Sequence, residues 1–435
     1  MMKIDNSHIQ VERALNLVSE AVGILSHIGN VAEFNSDPKI KAVSAYNCET
    51  QLLNGEFYAG KSGGCGFDLK KALLSAIGEG VERYCSTFYN LSSMVETSYA
   101  DLIARGYEAI KPSAFSLFHE SQYQRDTFPF KRFTNDTILY WDSVYDVFGQ
   151  KTVLCPSTFI YMPFSKGKVR ISEQISTGFA AHTNYYDAFL NGIYEVIERD
   201  AFMISWMGQL GIPKIKIEGK LKEFVESIVP SHMNVHLFDM TTDIKVPSVV
   251  GILEGVHDYG QFVAFSAATR MTYTAAINKT VLELCQSIPY YRYLLEDNKK
   301  KMDNLSELKS FEDHSIYYTR YPEKQGIFKK WLERPQTKDI AYDEEPELDA
   351  KSKIKAILRI FRKNNIDVYC KDITTEDVAE ENFKVVRVIC PQLIPLNGAY
   401  GGYYLGGKRL YEVPEKMGFK KLKFEDLTTM PHPFP

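Results

Sequence analysis

Two stretches of this chain carry a pair of glutamates followed directly by arginine. ALLSAIGEGVERYCSTF (72–88) contains Glu79, Glu82 and Arg83, and AFLNGIYEVIERDAFMI (188–204) contains Glu195, Glu198 and Arg199. Four carboxylates facing one cavity repel each other and take up protons unless cations join them. Hard oxygen donors at that density call for Mg2+, which usually shares its octahedron with waters and substrate phosphates. The adjacent arginines suit phosphate oxygens, because a guanidinium is permanently charged and donates in a bidentate fork. Together with a glutamine on a third helix, these groups describe a nucleoside triphosphate site. No G-x-x-x-x-G-K-[ST] occurs in the chain, so the site is not of the P-loop kind.

Three helices must position these groups. At about 100° per residue, a helix over about 69–90 puts Ser75, Glu79, Glu82 and Arg83 on one face and Leu73, Ile77, Val81, Tyr84 and Phe88 on the other. Asp68 is its expected N-cap. A helix over about 185–207 groups Asn191, Glu195, Glu198 and Arg199 against Leu190, Ile193, Ile197, Ala201 and Ile204. A third, over about 273–288, groups Lys279, Glu283 and Gln286 against Ile277, Val281, Leu284 and Ile288. One amphipathic helix alone ordinarily means a solvated face with local ion pairs. Here the pattern recurs and the flanks are strongly apolar, which points to a polar cavity inside the protein.

The remaining elements are read more coarsely. Residues 8–28 have helical apolar spacing, 54–68 look like a glycine-rich loop, and 138–156 read as two strands around a Phe-Gly-Gln turn. Residues 234–240, 247–255 and 261–269 are strand-like and closely linked, which favours antiparallel pairing. Residues 294–350 are rich in Lys, Asp and Glu and read as a solvated insertion with short helices. A helix (352–364), a strand (384–390) and a tail rich in Gly, Tyr and Pro follow. The fold class is therefore α/β of the α+β kind, with an N-terminal helical segment over 1–55 and a catalytic domain over 56–435.

The bulk properties are those of an ordinary globular protein: 435 residues, 45% hydrophobic, 24% charged, net charge −4. There is no basic excess for general nucleic-acid binding, no signal-peptide pattern at the start, and no apolar run of membrane-spanning length. The seven cysteines are scattered, with no C-x-x-C. The expected compartment is the cytoplasm, with neither nucleic acid nor membrane as a partner. Cys65 in its glycine loop is expected to be accessible, and Cys85 to be packed in the core. His182 is expected to pack or hydrogen-bond rather than to act as a base.

These segments resemble the YcaO family of ATP-dependent enzymes that modify peptide backbones. The likeness is carried by SGGCGFDLKKALLSAIGEGVER, ISTGFAAHTNYYDAFLNGIYEVIERDAF, AAINKTVLELCQS, DVYCKDITTEDV, VVRVICPQLIPL, YYLGGKRLYEVP and the final PHPFP, and it spans roughly residues 60 to 435. It implies a YcaO fold in which helices bearing the two motifs pack on mostly antiparallel sheets around an ATP cleft. It assigns Glu79, Glu82, Glu195 and Glu198 to Mg2+, and Ser75, Arg83, Ser176, Thr177, Arg199 and Gln286 to the nucleotide. Two positions depart from the family pattern. Gly64-Cys65-Gly66 stands where Gly-Lys-Gly is common, and Ile288 stands where an Arg often follows the Gln, with Arg292 the nearest substitute.

The P-x-P-x-P ending, Pro431 to Pro435, resembles the azoline-forming branch and assigns the Pro435 carboxylate to proton handling or substrate positioning in catalysis. The implied reaction is cyclodehydration of Cys, Ser or Thr in a ribosomal precursor peptide. The family context adds an E1-like partner that binds the leader peptide, a flavin-dependent dehydrogenase, and a homodimer within a complex. The alternatives are a thioamide or amidine synthase using the same ATP site, a non-catalytic ATP-binding scaffold, and a metal-dependent hydrolase. The last lacks the metal-binding histidines usual in such sites.

Overall fold

The computed structural model describes residues 6–297, 302–343 and 348–434. The chain divides into two units, each drawn from separated stretches. The first takes Met1–Asn30, Lys41–Val196 and Phe361–Leu393; the second takes Val31–Ile40, Ile197–Ile360 and Ile394–Pro435.

In the first unit, Leu25–Asn30, Lys41–Asn47 and Lys61–Gly66 form an antiparallel sheet in that order. The first motif helix, Leu69–Cys85, starts at Asp68, whose side chain accepts from the Lys71 amide as expected. It lies very close to the sheet. A Cβ at Gly64 would sit 2.2 Å from the Ala76 nitrogen and 2.4 Å from the Ala72 carbonyl oxygen, so only glycine permits this approach. The Ser62 hydroxyl donates to the Ala76 carbonyl and the Asn47 amide to the Gly80 carbonyl. Ala72, Ala76, Ile77, Val81 and Tyr84 join Val43, Ala45, Phe179 and Val385 in one buried cluster.

A second antiparallel sheet runs Val95–Thr97, Leu139–Asp146, Tyr369–Asp372, Lys384–Ile389, Phe179–His182, with Lys151–Pro156 also paired to Leu139–Asp146. The hairpin between Leu139–Asp146 and Lys151–Pro156 turns where Asp146 accepts from the Phe148 and Gly149 amides. Phe179–His182 is the sheet's outer strand.

The second unit has a sheet ordered Gly260–Thr269, Ser248–His257, Met233–Asp239, Lys214–Ile215, Gln336–Lys338, antiparallel except for the last pair. A Cβ at Gly251 would meet Leu284 and Thr280 of the third helix, Tyr273–Asp297. Helix Phe311–Arg320 is tied to the outer strand where Thr319 bonds the Val263 amide and carbonyl. The second motif helix, Tyr185–Met207, runs through the division between the units. Among the described residues, no helix is long and apolar enough to cross a membrane.

Four expectations are corrected. Residues 8–28 are not one helix: Asn6–Asn16 is helical and Leu25–Asn30 is a strand. The Ser19 hydroxyl accepts from the Ala21 and Val22 amides and turns the chain, leaving Val22 90% exposed. The glycine-rich stretch is not all loop, because Lys61–Gly66 pairs with Lys41–Asn47; its glycines serve helix packing. The third helix continues through Pro289 to Asp297 and buries Tyr291 and Leu294. Residues 294–350 are not simply solvated: Ile316, Tyr318, Phe328 and Trp331 lie in the core, stacked among rings such as Phe265 and Trp206.

Candidate functional site

The first unit brings Glu79, Glu82, Arg83 and Glu195 together. Glu79 accepts from the Gly63 amide at 2.9 Å and pairs with Arg83 at 3.1 Å. Glu82 accepts from the Ala181 amide at 2.7 Å, and Glu195 from the Gly178 amide at 3.3 Å. Each carboxylate is thus aimed by backbone from a neighbouring strand or loop. Burial pushes the Glu82 carboxyl up to about 8; Arg83 and the Ala181 amide oppose this, and Glu195 and Glu79 add to it. Burial works against the Arg83 charge, but Glu79 and Glu82 outweigh it and raise the pKa. The Arg83 Nη1 atom is buried and has no hydrogen-bond partner among the described residues. Ser75 is half-buried one turn before Glu79.

The loop ending in Ser176, Thr177 and Gly178 is held by a residue that sequence reasoning missed. Arg387, buried on strand Lys384–Ile389, donates to the carbonyls of Phe159 (2.8 Å), Ile175 (3.3 Å) and Thr177 (2.6 Å). Gly178 has φ +94°, and a Cβ there would sit 2.3 Å from the Val388 carbonyl oxygen. VVRVIC held the signal: an arginine inside a buried apolar strand needs acceptors, although nothing local says which.

In the second unit, Glu198 is buried and lies 3.6 Å from the Nε of Arg199. Asp200, fully buried, accepts from both Nε and Nη2 of Arg409 and from the Ile394 amide. Arg409 also bonds Asp243 at 2.8 Å. Asp200 and Arg409 are a second pair that helical spacing did not reveal, since they are far apart in sequence. The Arg199 guanidinium stacks on the Phe434 ring at 4.3 Å. Pro431–Phe434 is buried rather than frayed, and Pro435 lies outside the described residues.

On the third helix, Lys279 and Glu283 pair at 2.8 Å, and Ser266 donates to Glu283. Gln286 is half-buried one turn further on. Arg292 is committed elsewhere, to Asp37 and Asp258. Cys65 is buried, contrary to expectation, because it lies in the strand under the first motif helix. Cys85 is buried as expected, and its thiol is pushed up to about 12 by burial.

No group of three or more His, Cys, Asp or Glu side chains forms a ready metal cage among the described residues. The donor set still fits Mg2+, which usually takes one or two carboxylates and completes its shell with waters and phosphates. A half-buried carboxyl with a raised pKa gains from a cation, and a guanidinium atom without a partner gains from an anion.

A family model described as YcaO cyclodehydratase, ATP- and Mg2+-binding, matches residues 63–394. An uncharacterised protein of Methanothermobacter thermautotrophicus is 22% identical over 59% of this chain and 65% of its own length. A heterocyclase solved with substrate and cofactor is 21% identical, with a TM-score of 0.77, covering 98% of this chain and 57% of that one. YcaO from Methanopyrus kandleri, solved with AMPPCP and Mg2+, is 17% identical, with a TM-score of 0.61 and 89% of each chain covered. The E. coli microcin synthetase McbBCD complex with pro-MccB17 bound is 15% identical, with a TM-score of 0.62, covering 94% of this chain and 96% of that one. The match therefore spans less than two thirds of the length of the archaeal relative and of the first heterocyclase. These likenesses support the expected mixed fold of helices and antiparallel sheets.

Proposed function

Because this chain belongs to the YcaO family, we propose that it is an ATP-dependent cyclodehydratase subunit that converts Cys, Ser or Thr of a ribosomal precursor peptide to thiazoline or (methyl)oxazoline. The observation that carries this is the half-buried group of Glu82, Glu79, Glu195 and Arg83, with one raised carboxyl and one unpartnered guanidinium nitrogen. Such a group suits a cation and a polyanion arriving together.

An amide oxygen is a very poor leaving group, and ATP remedies this by supplying its γ-phosphoryl. The substrate's sulfur or oxygen bonds to the preceding carbonyl carbon and gives up its proton. The phosphorylated oxygen departs as phosphate and the amide nitrogen loses its proton, leaving a C=N ring bond with ADP and phosphate. The enzyme mainly positions the reactants and neutralises phosphoryl charge. Glu79, Glu82, Glu195 and Glu198 would hold Mg2+. Ser75, Arg83, Ser176, Thr177, Arg199 and Gln286 would meet the nucleotide, with Arg387 and Asp200 holding their supports in place. Pro435 keeps its assignment to proton handling or substrate positioning as part of this proposal.

The precursor peptide and an E1-like, leader-binding partner are proposed as companions, supported by the likeness to a synthetase complex with its precursor bound. A flavin-dependent dehydrogenase, a homodimer and a cytoplasmic location belong to the same proposal. The test mixes the protein, ATP, Mg2+, an E1-like partner and a Cys/Ser/Thr-rich precursor, followed by mass spectrometry. Loss of one water per modified residue with matching ADP is expected. A gain of sulfur for oxygen would make it a thioamide synthase, and no ATP turnover with any peptide or partner would leave a scaffold.

A further inference from the structure

We propose that helix Phe311–Arg320 clamps the Pro431–Phe434 segment and thereby fixes the Arg199 guanidinium, with His314 and Tyr318 as positioning residues. His314 and Tyr318 are both fully buried on this helix. The Nδ1 of His314 lies 2.9 Å from the His432 carbonyl oxygen, and the Tyr318 hydroxyl donates to the Pro431 carbonyl at 2.7 Å. The two imidazoles stack at 4.1 Å and 16°. The Nε2 of His432 faces the Asn397 carbonyl at 2.7 Å. A carbonyl only accepts, so each ring must donate: His314 carries its proton on Nδ1 and His432 on Nε2. Burial favours the neutral form of both rings. Two backbone carbonyls and one ring of the segment are therefore held in a single register.

That register sets the position of Phe434, which packs against Phe202 at 4.8 Å and under the Arg199 guanidinium at 4.3 Å. A ring against a guanidinium face fixes its plane and keeps the N–H groups directed along the edge, where a phosphate would be met. His314 thus acts on Arg199 through the segment, without touching it. The clamp rests on these contacts alone; its effect on turnover rests on the nucleotide role proposed above for Arg199.

The test places 4-fluorophenylalanine at position 434 of the full chain and reads its fluorine resonance without ligand. The original chain should give one shifted resonance. His314→Ala should move it toward the free amino acid position while the thermal melt stays cooperative. His314→Asn, whose amide nitrogen falls where Nδ1 does, should restore it, and His314→Gln should not. If His314→Ala does not fold, Tyr318→Phe removes one clamp bond with little change in volume and should shift the same signal. In peptide-dependent ATP turnover, His314→Ala should lower kcat about tenfold and change the KM for ATP less than about twofold, with rescue by Asn. An unmoved resonance would overturn the clamp. A moved resonance with unchanged kcat would overturn its link to Arg199. A clamped resonance in a protein that turns over no ATP with any peptide would sink the cyclodehydratase proposal and leave the clamp standing.

Discussion

The two E-x-x-E-R motifs are alike in sequence and differ in how they are held. In the first, Glu79 and Glu82 are aimed by main-chain amides of Gly63 and Ala181. Any sequence that makes those strands provides the same donors. In the second, Glu195 is aimed by the Gly178 amide in the same way, but the arginine end differs: Arg199 is braced by the Phe434 ring, and its neighbour Asp200 is gripped by Arg409. Those supports are side chains from remote segments, and one substitution can remove each. A motif held by backbone tolerates change around it, whereas one held by side chains depends on distant positions that the motif does not advertise.

The largest effect should come from breaking the side-chain support. Arg409→Leu leaves Asp200 buried without its cation, while Asp243 keeps Lys416 at 2.9 Å, and should cost about 3–5 kcal/mol in denaturant unfolding. A loss below about 1 kcal/mol would mean the second motif is no more dependent on side chains than the first. Next, Glu79→Gln and Glu198→Gln should each lower peptide-dependent ATP turnover about 100-fold or more. Equal losses would show that the two motifs share the chemistry despite unlike support, and a loss confined to one would separate them.

A smaller effect is expected from pH. The Glu82 carboxyl rises from an ordinary 4.5 to about 8 in the fold, so the folded state binds its proton more tightly. The stability this contributes is complete below about 4.5 and disappears as pH rises through about 8. The melting temperature of the ligand-free protein should fall across that window, and Glu82→Gln should flatten the slope. The smallest change is Asp68→Ala, which removes the N-cap of the first motif helix and should cost about 1 kcal/mol without altering the KM for ATP. A shift in KM would mean that the backbone-held motif is looser than its amide bonds suggest.

The motif helices were legible because apolar period and polar strip agree over many turns. The second is expected over about 185–207 and is Tyr185–Met207. The hairpin of Ser248–His257 and Gly260–Thr269 was equally plain, since its strands alternate around a short turn. The strand Lys61–Gly66 was hidden because its glycines answer to the helix packed on it and not to strand propensity. Residues 311–332 were hidden because Phe311, Ile316, Tyr318, Phe328 and Trp331 are interspersed among many Lys, Asp and Glu, which masks their apolar face. Arg387, Arg409 and His314 act through partners that only tertiary contact supplies, so local spacing could not assign them. The site residues named from the motifs were legible as types and faces, and their supports were not.

Phe179–His182 lies at the outer margin of its sheet, and its Ala181 amide is capped by Glu82, with Glu195 capping Gly178 just before it. Bare margins invite pairing with another molecule, but this one is covered: the first motif helix packs on it, and Phe179 and Ala180 are buried. The outward amides at this margin are therefore spent on the two site carboxylates. Replacing both with alanine should leave those two amides without an acceptor, so the melting temperature of such variants would report on the same two residues as their turnover.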